Sequence, residues 1–403
     1  MLIKPAPPFR VNGKIQLQAE LTPDNGESRT LWYRMPEDLE HRVTQHSDPF
    51  VLGALFLAMR HGEPVHVEGT VSPSLLRNLD RYTTAWSQWK PDTYRRVEFT
   101  AREEREAPTP ETKGVVLGFS GGIDSAYSAW TQAKGKAGRQ QVRLAAGVFV
   151  LGFDIPLESE NTDYASAFER ARIMTDSIGI ELIPVATNFR ELGDWWEHAF
   201  ATGLASVLHL FKSYHSGGML AGDSQQYQLD TKEIAFGTSP FFDTWLGSDM
   251  FQIHQDGADK SRIQKVEALS EWPEAMRNIR VCWQGQRLDR NCCRCQKCIC
   301  NMLLFRILER DIPQCFPLPL TEQDLRSIKY SDEAQRITSR KVVKTARDRG
   351  IRDSWVDALE DSLKPHVPEV KEASSTAPPQ PDGARWNNAW GILRKLRSSR
   401  MPF

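Results

Sequence analysis

The sequence predicts an α/β protein built on a parallel sheet with helices on both faces, plus a small N-terminal α+β module and a helical C-terminal region. From Gly114 onward, short apolar runs without polar–apolar alternation are separated by long helical patterns. Strands of this kind are buried on both faces, which is typical of parallel sheets covered by helices. The 403 residues leave room for a catalytic core and one or two further modules.

Residues 1–110 are predicted to form the small α+β module. Strands are predicted for KIQLQAEL, RTLWYRM, VHVEGTV and RRVEFTA, and helices for DPFVLGALFLAM and for SPSLLRNLDRYTTAWSQW, which Ser72 or Ser74 is expected to cap. The charged run AREEREAPTPETKG follows and contains Pro108 and Pro110, so we expect a connector. A domain boundary is therefore predicted near residue 110.

The second domain is expected to span residues 111–318. Its strands are predicted at VVLGF, LAAGVFVLG, ELIPVAT and GGMLAG, with helices around residues 124–134, 163–178 and 194–215. Ligands of parallel sheets bind beyond the carboxyl ends of the strands, so the loops at these ends are expected to carry the chemistry. The polar residues expected there are Asp154, Asn188, Asp223 and Ser224.

The C-terminal part is predicted to contain a helical region over residues 319–372, followed by a linker and a terminal helix over residues 373–403. The segment SSTAPPQPDGA is a low-complexity linker. The apolar residues that follow it at roughly helical spacing are Trp386, Trp390, Leu393 and Leu396. We expect this helix to dock on the protein itself, with a partner or membrane-surface contact as the alternative.

The charge balance disfavours a nucleic-acid partner. Lys and Arg number 51 and Asp and Glu number 52, so no large net field is available to gather polyanions. The N-terminal segment lacks the apolar run of a secretory signal, and no stretch of about 18 apolar residues could span a bilayer. We therefore expect a cytoplasmic protein without a membrane span.

The segment Ser120–Ser125, SGGIDS, is predicted to bind phosphate. It lies at a strand-to-helix turn, where Gly121 and Gly122 let backbone amides approach an anion and the following helix contributes free N–H groups. Ser120 and Ser125 can donate hydroxyls, and Asp124 can hold Mg²⁺ among phosphate oxygens. Because no Gly-Lys-Ser/Thr sequence is present, the loop is not a Walker A loop.

SGGIDS, with a strand before it and a helix after it, resembles the signature of the PP-loop ATP pyrophosphatases. The resemblance implies an adenine-nucleotide α-hydrolase-like fold, cleavage of ATP between its α and β phosphates, and adenosine near the end of the second strand. The residues expected to bind ATP are Ser120, Gly121, Gly122, Ile123, Asp124, Ser125, Val150, Asp154, Asp223 and Ser224.

Four cysteines are predicted to bind Zn²⁺. Cys282, Cys292, Cys295 and Cys298 form C-x9-C-x2-C-x2-C, a spacing that lets four thiolates close around one ion. The arrangement resembles the zinc knuckle of the 7-cyano-7-deazaguanine synthase family. Cys293 stands where a glycine is usual in similar proteins. Reduced cysteines without a metal and a redox-active pair are the alternatives.

The Gly-, Ser- and Asp-rich segment between the last strand and the cysteines is expected to be a functional loop. Arg262 and Lys265 are three residues apart on a predicted helix and could bind ATP phosphates or a substrate carboxylate. His254 is a candidate acid–base residue, with a structural role as the alternative. The predicted catalytic residues are therefore Asp124, Ser120, Arg262, Lys265 and His254.

These features predict an adenylating enzyme with ATP, Mg²⁺ and Zn²⁺ as cofactors. A carbonyl or carboxyl oxygen of a small molecule would attack the α-phosphate, and ammonia or an amine would then displace AMP. One alternative is sulfur insertion, for which Cys293, Cys300 and Cys315 are surplus to the zinc site. The other is a non-catalytic nucleotide-sensing module. Expected partners are ATP, the substrate and an ammonia or sulfur donor protein, and a homodimer is left open.

Overall fold

The computed structural model describes residues 1–24, 26–227 and 235–364, and ten strands of this part of the chain form one sheet. The strands are β1 (Leu2–Val11), β2 (Lys14–Thr22), β3 (Arg29–Pro36), β4 (Val65–Val71), β5 (Phe99–Glu104), β6 (Val115–Gly118), β7 (Leu144–Leu151), β8 (Glu181–Thr187), β9 (Gly217–Ala221) and β10 (Gln252–Asp256). Their order across the sheet is β10-β9-β6-β7-β8-β3-β2-β1-β4-β5.

The helices lie on both faces of this sheet or follow it in the chain. In chain order they are α1 (Asp48–His61), α2 (Pro73–Trp89), α3 (Ile123–Ala133), α4 (Ala165–Asp176), α5 (Trp196–His209), α6 (Arg262–Leu269), α7 (Pro273–Asn278), α8 (Gln296–Ile307), α9 (Glu322–Arg326), α10 (Glu333–Asp348) and α11 (Ser354–Ser362). The predicted α/β fold class and the helical C-terminal region are confirmed.

The central part of the sheet is parallel and buried on both faces. All neighbouring strands from β10 to β8 pair in parallel. Within β6, Val116 packs into one core cluster and Val115 and Leu117 into the other. In β7, Val148 and Phe149 divide in the same way. The absence of polar–apolar alternation in these strands therefore has the predicted cause, because both faces meet apolar side chains.

The N-terminal strands extend the same sheet. β3 pairs antiparallel with β8, with Tyr33 opposite Thr187. β2 and β1 continue antiparallel, and β4 and β5 then add in parallel. Strands on both sides of residue 110 thus share one sheet, while the division into domains at residues 110, 318 and 372 stays a prediction.

A buried ion pair joins the N-terminal region to the segment after α5. Asp48, the first residue of α1, accepts a hydrogen bond from Lys212, and both side chains are fully buried. Lys212 also donates to the hydroxyl of Ser72 over 2.6 Å. Ser72, one of the two predicted capping residues, is the N-cap residue of α2, but its hydroxyl makes no capping hydrogen bond. The hydroxyl accepts the hydrogen bond of the buried Lys212 instead.

Three element predictions need correction. β1 and β10 were not predicted, and β5 spans Phe99–Glu104 although the sequence pattern placed a strand over residues 95–101. β1 contains three prolines and β10 reads QIHQD, so neither presents the apolar run that marks a strand. The predicted terminal helix with Trp386 and Trp390 lies outside the described residues.

Among the helices of the described ranges, none combines the length and the apolar character needed to cross a membrane.

Candidate functional site

The SGGIDS segment runs from the turn after β6 into the first turn of α3, at the carboxyl edge of the parallel sheet. Gly121 adopts a φ of 73°, a left-handed conformation that favours glycine. Ser125 is buried, and its hydroxyl lies 3.4 Å from that of the exposed Ser120. No side chain caps α3, so the first amides of the helix keep N–H groups without an intrahelical partner at its positive end. The loop can therefore bind an anion.

Two cations meet the loop at Asp124. The ammonium of Lys265 lies 2.8 Å from Asp124 Oδ1, and the guanidinium of Arg262 lies 3.0 Å from Asp124 Oδ2. Lys265 is fully buried and also donates to the carbonyl of Gly222. Arg262 Nε lies 3.1 Å from the carboxylate of Asp223, the second residue after β9. The structure thus gathers these five residues, which come from three separate segments of the chain.

Local sequence explains how the two cations reach this point. β10 ends at Asp256, and α6 begins at Arg262 after the N-cap Ser261, whose side chain forms a capping box with Gln264. Arg262 and Lys265 lie three residues apart, so both project from one face of α6. That face packs toward α3, which carries Asp124.

The electrostatics keep the site ionised. Burial would raise the pKa of Asp124, but the charges of Arg262 and Lys265 together hold that pKa below its usual range. Burial opposes the charge of Arg262 as well, yet Asp124 and Asp223 raise its pKa. An ionised carboxylate next to two cations can exchange them for a metal ion when a polyanion takes up the cations.

The other residues predicted to bind ATP lie along the same edge of the sheet. Val150 is half-buried within β7, and Asp154 follows the end of that strand. Ser224 lies beside Asp223, and its N–H donates to the carbonyl of Lys260 over 3.3 Å. Their roles in ATP binding stay predictions.

Asn188 has a structural role. Its side chain accepts a hydrogen bond from the N–H of Trp32 over 2.9 Å and donates to the carbonyl of Thr30 over 2.7 Å. Both partners belong to β3, so Asn188 braces the junction between β8 and β3.

His254 is not brought to Asp124 in the described structure. It lies within β10, opposite Met219 of β9, and lines an open groove of about 530 Å³ with Asn78, Gln140 and Asp249. Burial lowers its pKa, and Asp256 partly offsets this effect. The acid–base role of His254 and its structural alternative both stay predictions.

The four predicted ligand cysteines converge on one point. The sulfur atoms of Cys282, Cys292, Cys295 and Cys298 all lie within 4.8 Å of one another. Cys282 Sγ is 3.8 Å from Cys295 Sγ, and Cys292 Sγ is 3.9 Å from Cys298 Sγ. Four sulfurs at about 2.3 Å from a tetrahedral Zn²⁺ would lie about 3.8 Å apart. The donor set and its spacing therefore fit a zinc ion.

Backbone amides donate to two of these four sulfurs. The N–H groups of Arg294 and Cys295 donate to Cys292 Sγ over 3.4 Å and 3.3 Å, and that of Cys298 donates to Cys295 Sγ over 3.5 Å. Cys293, between the ligands Cys292 and Cys295 in the chain, turns the backbone with a φ of 59°. This left-handed conformation explains why a glycine suits the position, and why the cysteine found here is unusual.

The three remaining cysteines are buried. Cys293, Cys300 and Cys315 are exposed by 0 %, 2 % and 5 % respectively. Cys300 Sγ lies 3.4 Å from the hydroxyl of Ser339 on α10 and 3.3 Å from the amide of Gln296. Burial raises the pKa of Cys315 to about 12. None of the three presents an accessible thiol in the described structure.

Two features of the site were missed from the sequence. The first is α10, which reaches the loop after β9, because Gln225 donates to the carbonyl of Ala334 over 3.3 Å and accepts from Thr338 over 3.1 Å. The second is Arg280, whose N–H donates to the carbonyl of Gly121 over 2.9 Å. Neither has a sequence signal, because these contacts involve backbone carbonyls or residues more than 100 positions apart.

Comparisons with known proteins find distant relatives of one kind. The chain is 30 % identical over 166 residues to the tRNA-specific 2-thiouridylase MnmA of Pseudomonas aeruginosa, a match that covers 40 % of this chain and 38 % of that protein. It is 33 % identical over 141 residues to the protein of the same name from Sodalis glossinidius, covering 34 % of this chain and 32 % of the relative. No protein-family model matches the chain, and no solved structure gives a significant match.

The match spans less than two fifths of the length of each of these relatives. They are tRNA 2-thiouridylases, which belong to the PP-loop ATP pyrophosphatases. Over the matched part, the chain is similar to these members of that superfamily.

Proposed function

We propose that the protein is an AMP-forming, ATP-dependent enzyme that adenylates a carbonyl or carboxyl oxygen of its substrate. The observation that carries this proposal is the convergence of Asp124, Arg262 and Lys265 on the SGGIDS loop. Loop amides, a helix N-terminus and two cations together suit the binding of a leaving pyrophosphate. The homology to PP-loop ATP pyrophosphatases supports the same chemistry.

In this reaction the substrate oxygen attacks the α-phosphorus of ATP. The new O–P bond forms as the bond to the bridging oxygen breaks, and pyrophosphate leaves with the electron pair. Charge then grows on the pyrophosphate, where Arg262, Lys265 and the loop amides stabilise it. Asp124 would hold Mg²⁺ together with phosphate oxygens, since Mg²⁺ is usually bound by one or two carboxylates plus the substrate phosphates.

For the second step we propose transfer of sulfur to the adenylated carbon, because the matched relatives are named as thiouridylases. Hydrosulfide sulfur would attack that carbon, and AMP would leave with the C–O electron pair. The burial of Cys293, Cys300 and Cys315 indicates that the sulfur comes from an external donor and not from these thiols. An external ammonia or amine nucleophile is the second candidate. The same burial favours it over sulfur carried on a protein thiol, because it needs no accessible cysteine.

The substrate class follows from the same comparison. The relatives are tRNA-specific by name, which weakens the expectation from net charge that nucleic acid is not a partner. We therefore propose tRNA as a substrate beside small molecules.

We assign the four-cysteine cluster a structural Zn²⁺. Cys282, Cys292, Cys295 and Cys298 would hold the ion and fix the loop between Cys282 and Cys292. A bound Zn²⁺ contributes its binding free energy to the folding of such a loop.

The proposal is tested by incubating the protein with Mg·ATP and either a tRNA pool or a metabolite extract, and by resolving the nucleotide products. We expect AMP and pyrophosphate, whereas ADP and phosphate would refute the assignment. Supplying sulfide or ammonium separately, and measuring the mass of the product by mass spectrometry, distinguishes the two nucleophiles.

Asp124→Asn provides the matched test of the loop. It removes the carboxylate proposed for Mg²⁺ and should lower turnover by about a hundredfold or more, because preorganised charge at the reacting phosphates is lost. Asp176→Asn, which removes an exposed carboxylate on α4, should leave turnover unchanged. Wild-type turnover in Asp124→Asn would exclude the role proposed for Asp124.

A further inference from the structure

Arg280 is a residue with a buried cationic side chain whose backbone contacts the SGGIDS loop. Its side chain is 6 % exposed. Its backbone N–H donates to the carbonyl of Gly121 over 2.9 Å, and its own carbonyl faces Gly122. Because a charged side chain is rarely buried without partners, the environment of this guanidinium calls for an explanation.

The guanidinium is satisfied along one edge only. Nη1 donates to the carbonyl of Cys282 over 3.0 Å and to that of Leu288 over 3.3 Å. Nε is buried and has no hydrogen-bond partner in the described structure. Nη2 lies 3.9 Å from the carboxylate of Asp154, which is beyond hydrogen-bond distance. Nη2 is therefore the guanidinium nitrogen that is left to bind an oxyanion by a charge-assisted hydrogen bond.

Backbone carbonyls of the cysteine loop hold the guanidinium of Arg280 in place. The two carbonyls that accept from Nη1 belong to the segment between Cys282 and Cys292. That segment is itself fixed to the residues before α4, since Asp163 accepts hydrogen bonds from the N–H of Leu288 over 2.8 Å and from Arg287 over 2.7 Å. Arg280 is thus preorganised, so little side-chain entropy would be lost on binding an anion.

The cations of the site stand on two sides of the SGGIDS loop. β6, which leads into the loop, lies between β9 and β7 in the sheet. Arg262 meets Asp223 after β9, whereas Arg280 faces Asp154 after β7. A triphosphate bound across the loop would therefore meet Arg262 and Lys265 at one end and Arg280 at the other.

We propose that Arg280 binds the α-phosphate of ATP through Nη2, while Arg262 and Lys265 bind the pyrophosphate that leaves. This inference rests on the proposed AMP-forming reaction and adds the group that holds the phosphorus under attack. As the substrate oxygen adds to that phosphorus, the guanidinium neutralises its non-bridging oxygens and moves no proton. AMP would remain bound to Arg280 after pyrophosphate has left.

The test measures the affinities for AMP and for inorganic pyrophosphate separately, by calorimetry on the full-length protein. Arg280→Gln removes the charge, and Arg280→Lys keeps it but lacks the planar guanidinium. We expect Arg280→Gln to weaken AMP binding by about tenfold or more, the usual effect of losing a charged hydrogen bond, and Arg280→Lys to weaken it less. Pyrophosphate affinity should change by less than about twofold in both variants.

The control is Arg277→Gln, which removes an exposed arginine of α7 that pairs with Glu274 and should alter neither affinity. Unchanged AMP affinity in Arg280→Gln would overturn the inference and leave the proposed function standing. An equal loss of AMP and pyrophosphate affinity would also overturn it, because it would show that Arg280 only supports the loop. A wild-type protein that binds neither ligand would overturn the proposed function as well.

Discussion

At the scale of single residues, the site depends on charges that are buried in pairs. Lys265 is fully buried, and it is tolerated because Asp124 and the carbonyl of Gly222 accept its hydrogen bonds. Removing one member of such a group leaves an uncompensated buried charge, which usually costs several kcal/mol. The spacing of Arg262 and Lys265 predicted that they act together. Arg280 could not be predicted, because its partners are carbonyls that carry no residue-type signature.

The loop after β7 depends on a glycine at residue 152. Gly152 has a φ of 96°, and a Cβ atom there would lie 1.9 Å from the carbonyl oxygen of Thr187. We therefore expect Gly152→Ala to lower the free energy of unfolding by about 3 kcal/mol or more, since backbone strain adds to a clash with a fixed main chain. Urea denaturation measures this change.

Gly135→Ala is the matched control. Gly135 also has a positive φ, of 65°, but a Cβ there would meet no atom within 4 Å. Only the conformational cost of about 1 kcal/mol is then expected. Equal losses of stability in the two variants would show that the contact with Thr187 is not the cause.

At the scale of elements, the cysteine loop was predicted from spacing, and its conformation shows why a glycine suits the position of Cys293. Cys293 occupies a left-handed position that glycine fills more easily, and its buried thiol packs into the core. The strand β10 was not predicted, because its sequence QIHQD lacks an apolar face of its own. It forms as a strand because β9 offers a free edge for pairing.

Loss of a metal ligand should unfold the cysteine loop. Cys298→Ser removes one of four sulfurs, so we expect the bound zinc to fall to near zero and the melting temperature to drop by several degrees, as binding free energy is lost from folding. Metal analysis and a thermal melt measure both effects. Cys315→Ser changes a buried thiol outside the cluster and should retain the zinc. Zinc retained in Cys298→Ser would contradict the assigned ligand set.

At the scale of the whole molecule, burial of histidines makes stability depend on pH. Burial lowers the pKa of His198 to about 4, of His209 to about 3 and of His215 to about 4. In the unfolded chain each would titrate near 6.5. Between about pH 6.5 and 4 the unfolded state therefore binds more protons than the folded state. The contribution of these histidines to the free energy of unfolding is complete above pH 6.5 and is lost as the pH falls through this window.

Each of these histidines should contribute a loss of up to about 1.4 kcal/mol per pH unit in that window. Denaturant titrations at successive pH values measure the slope. His198→Gln can still form a hydrogen bond with the hydroxyl of Tyr94. We expect it to reduce the slope of the free energy of unfolding against pH by the contribution of about one bound proton. His41→Gln, at an exposed site, is the control. Identical slopes for wild type and His198→Gln would mean that His198 does not titrate as described.

The sequence alone determined the α/β class, the position of SGGIDS at a strand-to-helix turn and the set of four cysteines that converge, because each depends on local patterns: buried runs, a glycine turn between strand and helix, and short spacers between thiols. Only the tertiary structure decided that the N-terminal strands extend the same sheet through β3 and β8, that His254 lies away from Asp124, and that Arg280 and α10 border the site. These features depend on contacts between distant segments, and no local pattern of residues specifies which segments will meet.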